Sequence, residues 1–162
     1  MKISTKTGDF TTTAVKGGRI SKASIRVDAY GSIDELLSLI GFVHFYVDEE
    51  YKDQLNIIMD NLRIIIKELA NTTSLCLLEQ KNLEELENTN DILKENCQNI
   101  KLFQRVIGNI PYLHINHTRT VTRRVERKVV LLAEHESVNQ ITLSYLNRLS
   151  DYFFLLSQIY NN

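Results

Sequence analysis

Apolar residues recur at three- and four-residue intervals through most of the chain after Gly31, the spacing of an amphipathic helix rather than the two-residue alternation of a strand. Val27, Tyr30, Ile33, Leu37 and Ile40 predict a first helix already running by Arg26, although Ser32 and Glu35 have the form of a capping box a turn further on. Leu55, Ile58, Leu62, Ile65 and Leu69 predict a second helix over roughly Tyr51 to Leu78, with the continuous "RIIIKEL" marking a buried position. From Lys81 to Ile100 a run rich in charge hides a seam of Leu83, Leu86, Asn90, Leu93, Cys97 and Ile100. Asn90 within it reads as a residue that fixes register or reaches water. After the irregular "VIGNIPY", helices are expected near Thr118 to Glu134 and from about Asn139 to Tyr160. The last has a seam of Leu146, Leu149, Phe153, Leu156 and Tyr160, whose aromatics at helical spacing among leucines read as core.

Pro111 is the only proline, and four of the six glycines fall at 8, 17, 18 and 31, so the helical region lacks the usual breakers. The expectation is an all-α fold: a five-helix antiparallel bundle with a polar N-terminal loop. At 162 residues and 43% hydrophobic, the chain has material for one domain, 1–162, with a loop over 1–25 and the bundle over 26–162.

Charge narrows the function. With 19 basic and 20 acidic residues the formal net charge is -1, which removes any global argument for nucleic acid. Cys76 and Cys97 have no CxxC or metal-ligand spacing and read as buried, reduced thiols. Without an apolar signal core, an Arg/Ser-rich presequence or a membrane-spanning apolar run, the expectation is a cytoplasmic protein with no membrane partner. His44, His114, His117 and His135 fit no metal motif and read as surface or loop histidines. No metal ligand is predicted from protein side chains.

Candidate chemistry gathers in three places. On the fourth helix, Arg119, Arg123, Glu126 and Arg127 fall within an arc of about 100°, opposite Val121, Val125, Val129 and Leu132. Such a face is either solvated, with Glu126 pairing Arg123, or a cationic fork for a polyphosphate or carboxylate. The opening "TKTGDFTTT" brings threonine hydroxyls, Gly8, Lys6 and, further on, Lys22, all useful in wrapping phosphates, yet it is not a Walker A motif. On the last helix, Asn147 and Asp151 lie at i,i+4 off the apolar seam: these polar residues either pair along the helix surface, the ordinary outcome, or serve a ligand, with Asn147 suited to a base or ribose, Arg148 to a phosphate or carboxylate, and Asp151 to bracing either.

Three separated stretches, "TKTGDFTTT…GGRISKASIRVDAYGSIDEL", "RTVTRRVERKVV" and "VNQITLSYLNRLSDYFF", resemble the signatures of the PduO-type ATP:cob(I)alamin adenosyltransferases. The resemblance implies a ferritin-like, cobalamin adenosyltransferase-like bundle that assembles as a homotrimer with sites between subunits. It implies ATP, Mg²⁺ and cobalamin as ligands, and transfer of the 5′-deoxyadenosyl group of ATP to cob(I)alamin. By the same resemblance Thr5, Lys6, Thr7, Gly8, Asp9 and Lys22 line an ATP cradle faced by Arg123, Glu126, Arg127 and Asn147. Arg119 is implied to pair with Asp34 across the interface, and Arg123 and Lys22 to steady the leaving triphosphate. Phe103 falls where the family has an aromatic residue against the cobalamin.

Two segments differ from the family pattern: Thr11 stands where a glycine is usual, and "RVIGNIPYLHINH" replaces a PGG-type segment. An alternative is therefore a homologue that binds ATP or adenosylcobalamin without turning it over. A reductase and an adenosylcobalamin-dependent enzyme are the implied partners. An interaction protein or nucleic-acid binder using the Arg119 to Lys128 face is the reading from a different class, with the near-zero net charge arguing against nucleic acid.

Overall fold

A computed structural model describes residues 6, 8–73, 75–97, 100 and 105–161. Five helices run up-down-up-down-up: α1 (Ile25–Tyr46), α2 (Glu49–Leu69), α3 (Gln80–Asn96), α4 (Ile110–Ala133) and α5 (Gln140–Ile159). The centre of the bundle is α4, packed between α1 on one flank and α5 on the other, with α3 against the far side of α5 and α2 against α1. Contacts that descend α4 as they ascend α1, from Asp28–Lys128 through Glu35–Arg124 to Phe42–His114, make that pair antiparallel. The odd helix count leaves α3 and α5 as parallel neighbours, joined through Glu87–Arg148 and Cys97–Leu155.

The core is the apolar stripe of each helix. On α1 the buried positions are Ala29, Ile33, Leu36, Ile40 and Val43, one position away from part of the seam read in the sequence, while Val27, Tyr30 and Leu37 are half-buried. Ser24 caps α1, its hydroxyl accepting from the Val27 amide at 3.3 Å, so the helix starts before the Ser32/Glu35 pair. Ser32 instead bonds back to the Asp28 carbonyl.

Two boundaries differ from the sequence expectation. The second helix ends at Leu69, not near Leu78, because Asn71 turns its side-chain oxygen onto the Thr73 amide and hydroxyl, a local bond that competes with the helix ladder. The fourth begins at Ile110, eight positions before Thr118: Asn109 accepts from the Tyr112 amide at 2.9 Å, and Pro111 sits in the first turn, where its missing N–H costs nothing.

The connection after α2 is held by one buried carboxylate. Glu68 accepts from the amides of Leu77 and Leu78, from Asn139 at 3.1 Å and from the Thr142 hydroxyl at 2.7 Å, tying the α2–α3 connection to the start of α5. Cys76 lies in this connection and is exposed, contrary to the expectation of a buried thiol, whereas Cys97 is half-buried and desolvation raises its pKa.

The polar N-terminal region is more ordered than the sequence suggested. It contains an antiparallel hairpin, β1 (Thr12–Val15) and β2 (Gly18–Ser21), turned at Lys16-Gly17, with Gly17 at φ 114° and Gly18 at φ 142°. Its alternation was invisible in the sequence because neither strand has a fully buried residue. Among the described residues no helix is long and apolar enough to cross a membrane.

Candidate functional site

On α4 the cations sort by flank. Arg124 pairs with Glu35 at 2.6 Å, and Lys128 reaches Asp28 at 2.6 Å and the Ser32 hydroxyl at 2.8 Å, so both are spent on holding α1. Arg123 and Arg127 are exposed and make no ion pair among the described residues. The Glu126–Arg123 pair expected of a solvated face is not formed: Glu126 accepts from the Asn147 side-chain amide at 2.9 Å on α5. That bond fixes the wall formed by α4 and α5, with two guanidiniums beside an oriented side-chain amide. Planar donors in this arrangement suit a polyanion that also carries a group to be hydrogen-bonded.

Next to that wall, Arg148 is engaged by Glu87 at 3.0 Å and donates to Asn147 Oδ1 at 2.8 Å. It orients Asn147 rather than standing free for a phosphate. Asp151 lies 3.9 Å from Arg148, and its pKa is raised chiefly by desolvation, with Arg148 and Arg123 opposing and Glu126 reinforcing the shift. Asp151 thus senses the same cluster, as its i,i+4 spacing from Asn147 suggested.

The loop half of the candidate site is elsewhere. Lys22 follows β2, its amide bonds the Thr11 carbonyl at 2.8 Å, and its ammonium donates to the Gly8 carbonyl, closing Gly8 and Asp9 back over the hairpin. Lys6 adopts φ 56° and Thr11 φ 37°. A β-branched residue in the left-handed region is strained, and Thr11 stands at the position the sequence comparison marked for glycine. Lys22 also lines an open groove of about 480 Å³ with Asp28, Gly31, Ser32, Glu35 and Lys128. Thr5, Thr7 and Phe103 lie outside the described residues.

Within one chain the two halves do not converge. The Lys22 groove lies on the α1 flank of α4, and the Arg123, Glu126, Arg127 and Asn147 wall lies toward α5. Arg119 and Asp34 are likewise apart in this arrangement: Arg119 is rotated about 140° around α4 from Arg124, the residue that faces the neighbourhood of Asp34. Arg119 Nε is buried without a hydrogen-bond partner, and Asp34 is exposed with no ion pair among the described residues.

Sequence reasoning missed Arg124 and Lys128 as α1 clamps. Their i,i+4 spacing, matched by Asp28 and Glu35 on the first helix, was the available signal. No group of three or more His, Cys, Asp or Glu side chains is placed to hold a metal ion among the described residues.

Residues 3–160 match the family model described as cobalamin adenosyltransferase. A corrinoid adenosyltransferase of Bacillus subtilis is 38% identical, with 99% of this chain and 87% of that protein covered. One of Citrobacter freundii is 33% identical, with 98% and 94% covered. Among solved structures, a variant PduO-type adenosyltransferase from Lactobacillus reuteri complexed with ATP superposes with a TM-score of 0.91 at 31% identity, covering 98% of this chain and 94% of that one. Another variant from the same organism, complexed with cobalamin and ATP, gives 0.90 at 31% identity, covering 97% and 89%. The match runs through the polar hairpin, the arginine face of α4 and the Asn147 turn of α5 alike, and the chain belongs to the cobalamin adenosyltransferase family.

Proposed function

We propose that this protein transfers the 5′-deoxyadenosyl group of ATP to the cobalt of cob(I)alamin, giving adenosylcobalamin and triphosphate. The observation that carries the reading is the pair of arginines, 123 and 127, which make no ion pair among the described residues, beside the Glu126–Asn147 hydrogen bond on a chain of this family. The family's relatives are named for this activity, and solved neighbours hold ATP and cobalamin.

In this reaction the Co(I) electron pair forms the new bond to C5′ of ATP while the C5′–O bond breaks and its electrons leave on triphosphate. Charge develops on the leaving group, so prepositioned cations lower the barrier without any general base. Arg123, Arg127 and Lys22 supply these cations, with the threonines and backbone of the 5–13 loop wrapping the phosphates. Asn147, fixed by Glu126 and Arg148, orients the nucleoside end.

The donor set suits Mg²⁺ as a companion of the triphosphate rather than a resident of a protein cage, since phosphate oxygens and water are its usual ligands. When bound there it neutralises phosphate charge. The apolar side of the corrin falls, by the family resemblance, to Phe103.

The placement of Lys22 and the arginine wall on different flanks of α4 supports an active unit assembled from more than one chain. A homotrimer, with the loop of one chain over the wall of the next, brings them together and gives Arg119 the carboxylate of Asp34 as partner. The reading takes residues 1–162 as a single domain working in the cytoplasm, supplied by a reductase and serving an adenosylcobalamin-dependent enzyme.

The test is an anaerobic mixture of protein, ATP, Mg²⁺ and chemically reduced cobalamin, followed by absorbance for a light-sensitive alkylcobalamin. Conversion that needs both protein and ATP supports the transferase. ATP binding by calorimetry with no conversion refutes it in favour of a binding module.

A further inference from the structure

The segment that leaves α2 over residues 69–72, turning at Ala70 (φ -76°, ψ 2°), is gripped along both edges. On one edge the Lys16 amide donates to the Ala70 carbonyl at 3.1 Å, and the Thr72 amide donates to the Lys16 carbonyl at 3.1 Å. On the other, the carbonyls of Leu69 and Asn71 accept from Nη1 of Arg26 at 2.6 and 2.9 Å. The Ala70 carbonyl thus serves the hairpin, while the carbonyls on either side of it serve the guanidinium.

The rest of that guanidinium is committed as well. Its Nε donates to Glu136 Oε2 at 3.0 Å and its Nη2 to the same oxygen, joining the α4–α5 connection to the start of α1. Arg26 is only 7% exposed. One buried fork therefore locks together the first turn of α1, the end of α2 and the turn between α4 and α5.

Among the described residues the hairpin meets this lock at Lys16, whose amide and carbonyl bond residues 70 and 72. Neither strand has a fully buried residue, so apolar burial contributes little to its placement. The turn is fitted closely to its anchor: a Cβ on Gly17, which has φ 114°, would lie 2.1 Å from the Thr72 hydroxyl. From the turn, β2 runs straight into Lys22, and four residues later, past the Ser24 cap, the chain is back at Arg26. Hairpin, anchor segment, Arg26 and Lys22 form a closed circuit.

We propose that Arg26, backed by Glu136, is a positioning residue for ATP. It holds the 69–72 segment in place for the hairpin to dock and thereby sets the position of Lys22 and the loop that wraps the triphosphate. This rests on the reading that the loop binds ATP. Arg26 touches no substrate.

Arg26→Lys tests it, since an ammonium cannot reproduce the fork that serves two carbonyls and a carboxylate at once. The KM for ATP should rise by about tenfold, in line with the loss of one charge-assisted hydrogen bond. The rate at saturating ATP and the KM for cobalamin should stay within about twofold. Hydrogen exchange at the Lys16 and Thr72 amides should quicken while α1, α4 and α5 remain protected.

Gly17→Ala presses on the same segment from the opposite edge. It should give the same split, and the double variant should be no worse than the poorer single one. If Arg26→Lys fails to fold, Gly17→Ala carries the test alone. An unchanged KM for ATP with quickened hairpin exchange would overturn the proposal. So would a fall in rate matched by a lower melting temperature at constant KM, the signature of a merely structural role. Calorimetric ATP affinity reads the same link without turnover, so failure of the transferase reading leaves this test decisive.

Discussion

Reversing the charge of Asp34 or Arg119 tests the shared site most directly. In one folded chain Arg119 has a buried Nε with no hydrogen-bond partner, and leaving such a group unsatisfied costs about 1–3 kcal/mol. Asp34, exposed on α1, has its neighbour Glu35 engaged by Arg124 but no cation of its own among the described residues. If the two meet between chains, each contact couples by about 2 kcal/mol, and the three contacts of a closed ring supply about 6 kcal/mol to assembly.

Asp34→Arg or Arg119→Asp alone replaces attraction with repulsion in every contact. Activity at micromolar protein should then fall by about thirtyfold or more, the equivalent of one such coupling. Sedimentation should show a smaller species than the parent trimer. The double variant restores opposite charges with their places exchanged and should recover at least about tenfold of the loss. The assay is initial rate of adenosylcobalamin formation beside sedimentation velocity on all four proteins. Losses that simply add in the double variant, or a parent protein that sediments as a monomer of 18.8 kDa, would refute the pairing.

Other expectations follow from individual groups. Arg123→Ala should raise the KM for ATP about tenfold or more while the KM for cobalamin holds, and unchanged ATP kinetics would remove Arg123 from the site. Glu68→Leu strands four donors and should cost about 4 kcal/mol in urea unfolding, while Glu68→Gln, which keeps an acceptor toward them, should cost less than half of that; equal losses would contradict the network. Asp151 has its pKa raised in the folded chain, so its ionised form disfavours folding at neutral pH and the penalty vanishes once it is protonated in both states. Asp151→Asn should therefore raise the melting temperature at neutral pH, with the gain shrinking as the pH is lowered; a gain that grows in acid would reverse the assigned sign.

The helical part of the fold was legible because burial leaves a periodic trace. The leucine seams of α3 and α5 named their buried faces, and Asn90 in the α3 seam donates to the Arg148 carbonyl of α5 at 3.0 Å. The end of α2 was not legible, because what stops it is Asn71 bonding locally, backed by Arg26, a residue 45 positions earlier in the chain. Nor was the hairpin, whose strands have no fully buried residue to impose a two-residue period. Three-dimensional pairing also decided Cys76, which looks like core by composition but falls in an exposed connection once α2 has stopped.

The site was half legible for a related reason. Residue type and spacing put Arg119, Arg123, Arg124, Arg127 and Lys128 on one helix, but spacing alone does not say which cations the fold itself consumes. The structure divides them: Arg124 and Lys128 are neutralised by α1 carboxylates, and Arg123 and Arg127 keep their field. Two exposed like charges a turn apart oppose helix formation by only about 0.5 kcal/mol, so the fold tolerates them. An anion arriving at both is held by charge-assisted donors already in place. Thr11 follows the same logic on the loop side: a strained left-handed threonine persists where the surrounding bonds over-determine it, here the Lys22 amide on its carbonyl. Unspent charge on α4 and stored strain in the loop are both small liabilities for a chain alone. In the trimer proposed above the two lie opposite each other across a subunit boundary, as the two walls of one nucleotide site.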